Sequence, residues 1–330
     1  MVPLTNRGVA AFIYFLSIVL PALLPAGLMA QAKGAAGRPI LAIPSQAMSM
    51  MPIFVAADRG FFQEQGVDPL IVYVAGRLQP PAMASGDVDY SASAETAKRA
   101  AIQGMPLKVV AYMSSKLSVS LVGAAEIKSV RELKGRTIAV TSLGGSLDYL
   151  AREIVSRDGL NPDKEVRVVA LNQNDAMLAL DSGSIHAAML VPPFDAIMSR
   201  KGFRRLVFAG DLMDYPQGGL ATTDKKIKEN PAEVKRMIRA IVKSLFYING
   251  NRDPMIGYIG HRWKIDRELA SSSYETMVRS FSPDGTASAQ SIQNVIESTR
   301  ARLKLQRAVP LSEVVNLSLL EQVHRDLGLK

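Results

Sequence analysis

The sequence predicts an α/β protein with two doubly wound lobes and a ligand cleft between them. Three observations lead to this prediction: the length of 330 residues, an internal duplication, and short apolar strands that alternate with helix-length segments. A single hydrophobic core stops growing beyond roughly 250 to 300 residues, so a chain of this length is expected to divide. With 48% hydrophobic and 21% charged residues, the composition is that of a globular chain and not of a disordered one.

The duplication consists of four segments that recur in order, each 96 or 97 residues later in the chain. The matched pairs are ILAIPS (40–45) with TIAVTS (137–142), LIVYVAG (70–76) with VRVVALN (166–172), SGDVD (85–89) with SGSIH (182–186), and LKVVA (107–111) with RRLVF (204–208). Self-similarity at one fixed offset indicates two units of the same architecture.

Each unit alternates strands with helices. The strands are short, rich in β-branched residues and almost continuously apolar, which is typical of strands buried on both faces of a parallel sheet. Helix-length segments follow at 52–65, before Gly66, and at 146–157, before Gly159. Ligands bind outside the carboxyl ends of the strands in such sheets, so two facing lobes predict a cleft.

The first 32 residues predict a secretory signal peptide. They carry one charge, Arg7, then an apolar run over 9–24 and a small-residue stretch that ends in Ala30-Gln31-Ala32. The alternative is a retained membrane anchor, since the run approaches the length that spans a bilayer. Prolines at positions 21 and 25 and the A-x-A ending favour cleavage. We therefore expect an exported protein that starts near Lys33.

The rest of the chain predicts a helical tail after the second unit. Asn230-Pro231-Ala232-Glu233 has the residues of a helix start, and further helices are expected over 266–281 and 287–303. We expect the tail to pack on the first lobe, with crossings near 118–125 and 217–223 forming a two-stranded hinge. The expected divisions are 1–32 for the signal peptide, 33–122 for the first part of lobe 1, 123–219 for lobe 2, and 220–330 for the return strand and C-terminal helices of lobe 1.

Composition excludes several classes of site. The chain has no cysteine, which excludes disulfides, thiolate metal sites and cysteine nucleophiles. The formal net charge is +9, but the basic residues are scattered, and no nucleic-acid-binding motif is present. No histidine pattern or acidic loop indicates a metal site. We expect no cofactor, no metal and no nucleic-acid partner.

A glycine-serine loop between a strand and a helix is the first candidate binding element. Its glycines allow close approach of a bound group, and the free N–H groups and dipole of the following helix favour a negative charge. The alternative is a tight turn with an ordinary N-cap. The candidate residues are Thr141, Ser142, Gly144, Gly145 and Ser146.

Further candidates follow the other strands. Hydroxyl and amide groups would supply hydrogen bonds, methionine and aromatic side chains would supply an adaptable apolar wall, and an arginine could pair with an anion. These candidates are Ser45, Gln46, Met48, Arg77, Ser91, Ala92, Ser93, Tyr112, Pro192 and Phe194.

A hydrolase is the enzymatic alternative, because the loop nearly matches the nucleophile elbow G-x-S-x-G around Ser146. The last position is Asp148 instead of glycine, and the three histidines, at 186, 261 and 324, lack a hydrolase-like arrangement. The sequence therefore favours a binding protein without catalytic residues.

Several segments taken together carry a family resemblance. The segments are PIFVAA (52–57), GFF (60–62), SGDVDY (85–90), IKSVRELKGRTI (127–138), GLNPDK (159–164), PP (192–193) and GFR (202–204). In these segments the chain resembles the type II periplasmic solute-binding proteins of ABC importers, in the nitrate/sulfonate/taurine and NMT1/THI5-like group. The resemblance covers about residue 39 to the C-terminus.

The resemblance implies capture of a small polar or anionic organic solute, sulfonate-, taurine-, nitrate- or pyrimidine-like, by closure of two lobes. It further implies a monomer in the periplasm that delivers the solute to an inner-membrane ABC permease. A receptor that presents its liganded form to a membrane sensor is the alternative. The THI5-like pyrimidine synthases use a cysteine-rich motif and an active-site histidine, and a chain without cysteine departs from that pattern.

Overall fold

The structure is a computed structural model that describes residues 37–143 and 146–329, without the side chain of Ser146. The predicted signal peptide and the predicted ligand residues Gly144 and Gly145 lie outside the described residues. Within the described part, no helix combines the length and the apolar character that crossing a membrane requires.

The described residues form ten strands in two five-stranded sheets, with the orders β2-β1-β3-β10-β4 and β7-β6-β8-β5-β9. The strands are β1 Ile40–Ile43, β2 Leu70–Tyr73, β3 Tyr90–Ser91, β4 Leu107–Tyr112, β5 Ser120–Gly123, β6 Thr137–Val140, β7 Arg167–Ala170, β8 Ala187–Leu190, β9 Arg204–Phe208 and β10 Gly219–Thr223. The two orders are the same once β6 to β9 are matched with β1 to β4, so the two predicted α/β lobes are confirmed.

Each sheet contains one antiparallel strand, which the parallel pattern alone did not predict. β1 and β6 pair in parallel with both of their neighbours. β10 pairs antiparallel with β3 and β4, and β5 pairs antiparallel with β8 and β9. The reason is topological, because β5 and β10 are the strands with which the chain enters one lobe after leaving the other.

The helices fill the connections and the tail. They are α1 Met51–Asp58, α2 Phe61–Glu64, α3 Gln79–Ser85, α4 Ala94–Ile102, α5 Ser146–Arg157, α6 Gln173–Asp181, α7 Phe194–Arg200, α8 Asp224–Glu229, α9 Pro231–Gly250, α10 Arg252–Trp263, α11 Arg267–Val278, α12 Ala289–Leu303, α13 Leu311–Val314 and α14 Ser318–Asp326. Short 3₁₀ turns occupy Met48–Met50, Gly76–Leu78, Val130–Leu133 and Ala209–Asp211.

Of the two helices predicted inside the repeated units, one is confirmed and one is wrong. The helix predicted over 146–157 is α5, with the predicted bounds. The single helix predicted over 52–65 is wrong, because the chain breaks into α1 and α2 at Gly60, whose φ of +76° lies in the left-handed region. Glycine reaches that region without the steric cost that other residues incur.

The tail packs on the first lobe. Val234, Ile238, Ile241 and Leu245 form the buried stripe of α9, each with 0% exposed surface, and they share a core with β1 and α1. A second cluster on the first sheet includes residues of α12 and α13, whereas the second sheet has a core of its own. Each lobe therefore has a hydrophobic core of its own, as expected for a chain of this length.

Two crossing segments connect the lobes. The first crossing, residues 113–119, joins β4 to β5, and the second crossing, residues 209–218, joins β9 to β10. They lie side by side, since the Met113 N–H donates to the Gly218 carbonyl at 2.9 Å and the Gly218 N–H donates to Ser114 Oγ at 2.8 Å. The predicted boundaries at 122/123 and 219/220 fall inside β5 and β10, after the third residue of β5 and after the first residue of β10.

Candidate functional site

A cavity of about 510 Å³ lies between the two sheets. Both lobes, both crossings and the end of the tail helix α11 contribute to its wall. The lining residues are Pro44, Ala47, Met48, Ser49, Met50, Ala92, Ser93, Glu95, Thr96, Ser114, Leu117, Ser118, Val119, Thr141, Ser142, Leu147, Val191, Pro192, Gln217, Gly218, Met277 and Phe281.

The position of this cleft follows from the duplicated topology. Residues directly after β1, β3 and β4 form one wall, and residues directly after β6 and β8 form the other. The carboxyl ends of parallel strands meet at one edge of a sheet, which is where open α/β sheets bind their ligands. Because both sheets have the same strand order, equivalent strand ends face each other across the cleft.

Six predicted ligand residues line the cleft. Thr141 and Ser142, which follow β6, are exposed to it, and Leu147 in the first turn of α5 lines it as well. Ser93 and Pro192 lie at equivalent strand ends on opposite walls. The six residues are Met48, Ala92, Ser93, Thr141, Ser142 and Pro192.

Four predicted ligand residues lie elsewhere. Ser45 and Gln46 are exposed outside the lining, where Ser45 Oγ accepts the Ala47 N–H at 3.3 Å and the Gln46 carbonyl accepts the Trp263 indole N–H at 2.9 Å. The following 3₁₀ turn directs residues 47–50 at the cleft instead. Arg77 is exposed on another turn, and Phe194 packs against the core of the second lobe.

Ser91 and Tyr112 are buried behind the wall, each with 0% exposed surface. Ser91 Oγ donates to Gln79 Oε1 at 2.5 Å and accepts the Ser93 N–H at 3.0 Å, so it holds the strand end in place. Burial raises the pKa of the Tyr112 phenol, whose oxygen has no hydrogen-bond partner among the described residues. Alternation along a strand explains both positions, because successive side chains point to opposite faces.

Several lining groups were not predicted. Ser114, Ser118 and Gln217 belong to the crossings, Met277 lies in the last turn of α11, and Phe281 follows α11. The crossings were expected to be a hinge only, so their polar side chains were not considered as ligand groups. The other unpredicted lining residues include Glu95 and Thr96, in the first turn of α4.

Glu95 belongs to a cluster that ties α4 to the second crossing. Its Oε1 accepts the Tyr215 hydroxyl at 3.1 Å, and Lys98 Nζ lies 3.4 Å from its Oε2. The Lys98 ammonium also donates to the Pro216 carbonyl at 2.5 Å and lies over the Tyr215 ring, 5.4 Å from the ring centroid. The Glu95 side chain is 23% exposed whereas that of Lys98 is 1% exposed, and Glu95 lines the cleft whereas Lys98 does not.

The Lys98 ammonium predicts a pH dependence of stability. Burial lowers the pKa of Lys98 below its ordinary 10.5, although the Glu95 carboxylate opposes the shift. Between the lowered pKa and 10.5 the unfolded chain binds the extra proton, so stability must rise with pH in that window. We expect the free energy of unfolding of the wild type, minus that of Lys98→Met, to increase from neutral pH towards pH 10. Urea unfolding at a series of pH values measures this difference, and parallel profiles would contradict it.

The electrostatics of the described lining are simple. Glu95 is its one ionisable side chain, and the remaining polar groups are hydroxyls, one side-chain amide and backbone groups. No described group of three or more histidine, aspartate or glutamate side chains could hold a metal ion. The arrangement can bind an organic molecule through hydrogen bonds and apolar contact.

Comparison with protein families gives one match. The model described as NMT1/THI5 like matches residues 47–253, which include both crossings and all of the cleft lining except Pro44, Met277 and Phe281. A protein of Brucella abortus strain 2308, whose name assigns it to the binding proteins, is 26% identical over 219 residues. That alignment covers 64% of this chain and 67% of the relative.

Solved structures share the fold at low sequence identity. The periplasmic aliphatic sulphonate binding protein SsuA from Escherichia coli has a TM-score of 0.68 and 16% identity, over 84% of this chain and 91% of that one. The desulfurization enzyme DSZB has a TM-score of 0.67 and 13% identity, over 88% of this chain and 100% of that one. The fold thus occurs in a binding protein and in an enzyme, and it does not decide between the two activities.

Proposed function

The chain belongs to the NMT1/THI5-like family, and from that membership we propose that it is the solute-binding component of an ABC importer. It captures a small polar organic solute between its two lobes and delivers it to a membrane permease. The observation that carries this proposal is the cleft, about 510 Å³ in volume and lined by the strand ends of both lobes. Cavities of roughly 300 to 1,000 Å³ are typical of small-molecule sites.

Closure of the lobes follows from how the cleft is built. A solute that touches both walls gains contacts when they approach, and only such a difference in affinity shifts the balance towards a closed form. The two crossings supply the hinge, because a few residues in each can absorb the backbone rotation while the two cores stay intact. Their mutual hydrogen bonds keep them side by side.

Delivery to a permease places the protein outside the cytoplasm. The predicted signal peptide supports export to the periplasm, where we propose that the chain acts as a monomer. A receptor for a membrane sensor would use the same cleft and the same closure, so it remains the second interpretation. Genes for a permease and an ATPase beside this one, and not a histidine kinase gene, would separate the two.

A hydrolase has less support from the site. No histidine lies among the described lining residues. His186 Nδ1 lies 3.3 Å from the Thr137 N–H, and His324 Nε2 lies 2.8 Å from the Asp284 carbonyl oxygen. A serine nucleophile needs a histidine base within hydrogen-bond reach. We therefore propose binding without chemical conversion.

A cleft-filling substitution tests the proposed function. Ser142 is exposed in the lining, so Ser142→Trp should obstruct the cleft without disturbing a core. Purified protein is stripped of bound molecules by partial unfolding and refolding, and is then incubated with the small-molecule fraction of a cell extract. After gel filtration, mass spectrometry identifies the compounds that it retains. We expect at least one retained compound that Ser142→Trp fails to retain.

The matched control is Ser272→Trp, which adds the same side chain at an exposed position of α11 that does not line the cleft. This variant should retain the same compound as the wild type. Retention of nothing by the wild type, or equal retention by the wild type and Ser142→Trp, would contradict the proposal.

A further inference from the structure

We propose that the solute presents an N–H donor group to the Glu95 carboxylate, and that anions without a donor, such as nitrate and sulfonates that lack an amine, are not its cargo. This inference rests on the proposed function and narrows its substrate class. The observation behind it is that Glu95 is the one ionisable side chain in the described lining, whose other groups are neutral. The polar or anionic solute expected from the sequence is thereby restricted to one that carries an N–H donor.

The carboxylate is held in place and retains free acceptor capacity. Tyr215 donates to Oε1 at 3.1 Å, whereas Oε2 is buried and forms an ion pair with Lys98 at 3.4 Å, so Oε1 is the oxygen that a solute in the cleft would meet. An ionised carboxylate has about four lone-pair sites and no donor. A solute group that meets Glu95 must therefore donate, whereas serine, threonine and glutamine side chains in the same wall can either donate or accept.

Nearby cationic side chains do not change the preference of the cleft for a donor group over an anion. Lys98 is 1% exposed and lies behind Glu95, with its ammonium directed at the Pro216 carbonyl. Arg302 does not line the cleft but an adjacent pocket of about 30 Å³, which shares Leu117, Leu147 and Gln217 with it. An anion in the cleft would meet the Glu95 carboxylate with no described cationic side chain in the same wall.

A purely structural role for Glu95 predicts a different result. An acid in the first turn of a helix interacts favourably with the helix dipole, and Glu95 occupies that position in α4. In that case the side chain would affect stability but not the choice between solutes. A comparison of matched ligands therefore separates the two roles.

The test uses the purified full-length protein and three probes with one common ring. Benzamidine carries a cationic N–H donor head, benzamide carries a neutral one, and benzenesulfonate carries an anionic head without a donor. Nitrate is the fourth probe. We expect benzamidine or benzamide to raise the melting temperature, and benzenesulfonate and nitrate to leave it unchanged.

Two variants assign the effect to the carboxylate. Glu95→Gln should weaken the binding of benzamidine by about 10-fold or more, as expected when a hydrogen bond to a charged group is lost. Glu126→Gln, which makes the same charge change at an exposed position outside the lining, should leave the affinity unchanged. Melting of each variant without ligand reports any loss of stability separately.

Three outcomes would overturn the inference. The first is benzenesulfonate or nitrate binding at least as tightly as benzamidine and benzamide, which would leave the proposed function standing. The second is equal affinity of Glu95→Gln and the wild type for benzamidine. The third is no shift with any probe, in which case the retained-compound experiment judges the proposed function on its own.

Discussion

Gly219→Ala is expected to destabilise the protein by about 3 kcal/mol, at the upper end of the usual cost of overpacking. A Cβ atom at position 219 would lie 2.5 Å from the Ala111 carbonyl oxygen and 3.2 Å from the Tyr112 Cα. Both are backbone atoms of the paired strand β4, so no side-chain rotation can relieve the clash. Because Gly219 starts β10 directly after the second crossing, the shift of the backbone should also disturb the cleft.

Two other glycines provide controls for this prediction. At Gly123 in β5 the nearest atom to an added Cβ is Leu206 Cδ1 at 2.9 Å, the end of a flexible side chain, so Gly123→Ala should cost less. Gly257 in α10 has no atom within 4 Å of an added Cβ, and Gly257→Ala should stabilise by roughly 0.5 to 1 kcal/mol. Chemical denaturation measures all three, and equal effects at positions 219 and 123 would contradict the argument.

Asp195→Ala is expected to destabilise the protein by about 3 to 5 kcal/mol, the cost of removing one partner of a buried ion pair. Asp195 has 0% exposed surface. Its Oδ2 accepts a hydrogen bond from Arg205 at 2.8 Å and one from Ser120 at 3.0 Å, and its Oδ1 accepts the Ala196 N–H at 2.9 Å. These bonds join α7 to β5 and β9, so their loss leaves buried donors without an acceptor.

Asp195→Asn should cost less than Asp195→Ala. Burial raises the pKa of the Asp195 carboxyl, which shows that the charged form is held at a cost that Arg205 only partly offsets. The amide keeps an acceptor for Arg205 and removes the buried charge. Asp253→Ala is the surface control, since Asp253 is 71% exposed and pairs with Arg267. Such exposed pairs contribute roughly 0 to 1 kcal/mol. Similar losses for Asp195→Ala and Asp253→Ala would contradict the prediction.

The strands were predictable because their signal is local. A short, continuously apolar run identifies a strand buried on both faces, and the repeat identifies its counterpart in the other lobe. The sequence predicted a return strand within 220–330, and β10 lies at the start of that range. β5 was not recognised as a sheet member, and the antiparallel pairing of both strands was not predicted, because the repeat offset does not indicate how the chain passes between the lobes. Gly60 lies within an apolar segment that otherwise predicts one helix, and its left-handed conformation divides that segment.

The position of the cleft could be predicted from the sequence, but the side chains that line it could be predicted only in part. Thr141 and Ser142 line it as expected, whereas Ser91 points into the first lobe and Ser45 lies outside. The direction of a side chain at a strand end depends on the turn that follows, which the sequence pattern does not specify. One feature of the sequence could have identified Glu95 as a site residue. It is the second residue of α4, as Asp195 is of α7, and both helices follow equivalent strands.

The measurement that tests the two-lobe account most directly is small-angle X-ray scattering of the stripped protein, with and without the compound that it retains. The account predicts that the radius of gyration falls as the compound saturates the cleft, because closure brings the two lobes together. Ser142→Trp, which does not bind, should show no change under the same conditions. An unchanged radius for the wild type at saturation would contradict capture by closure.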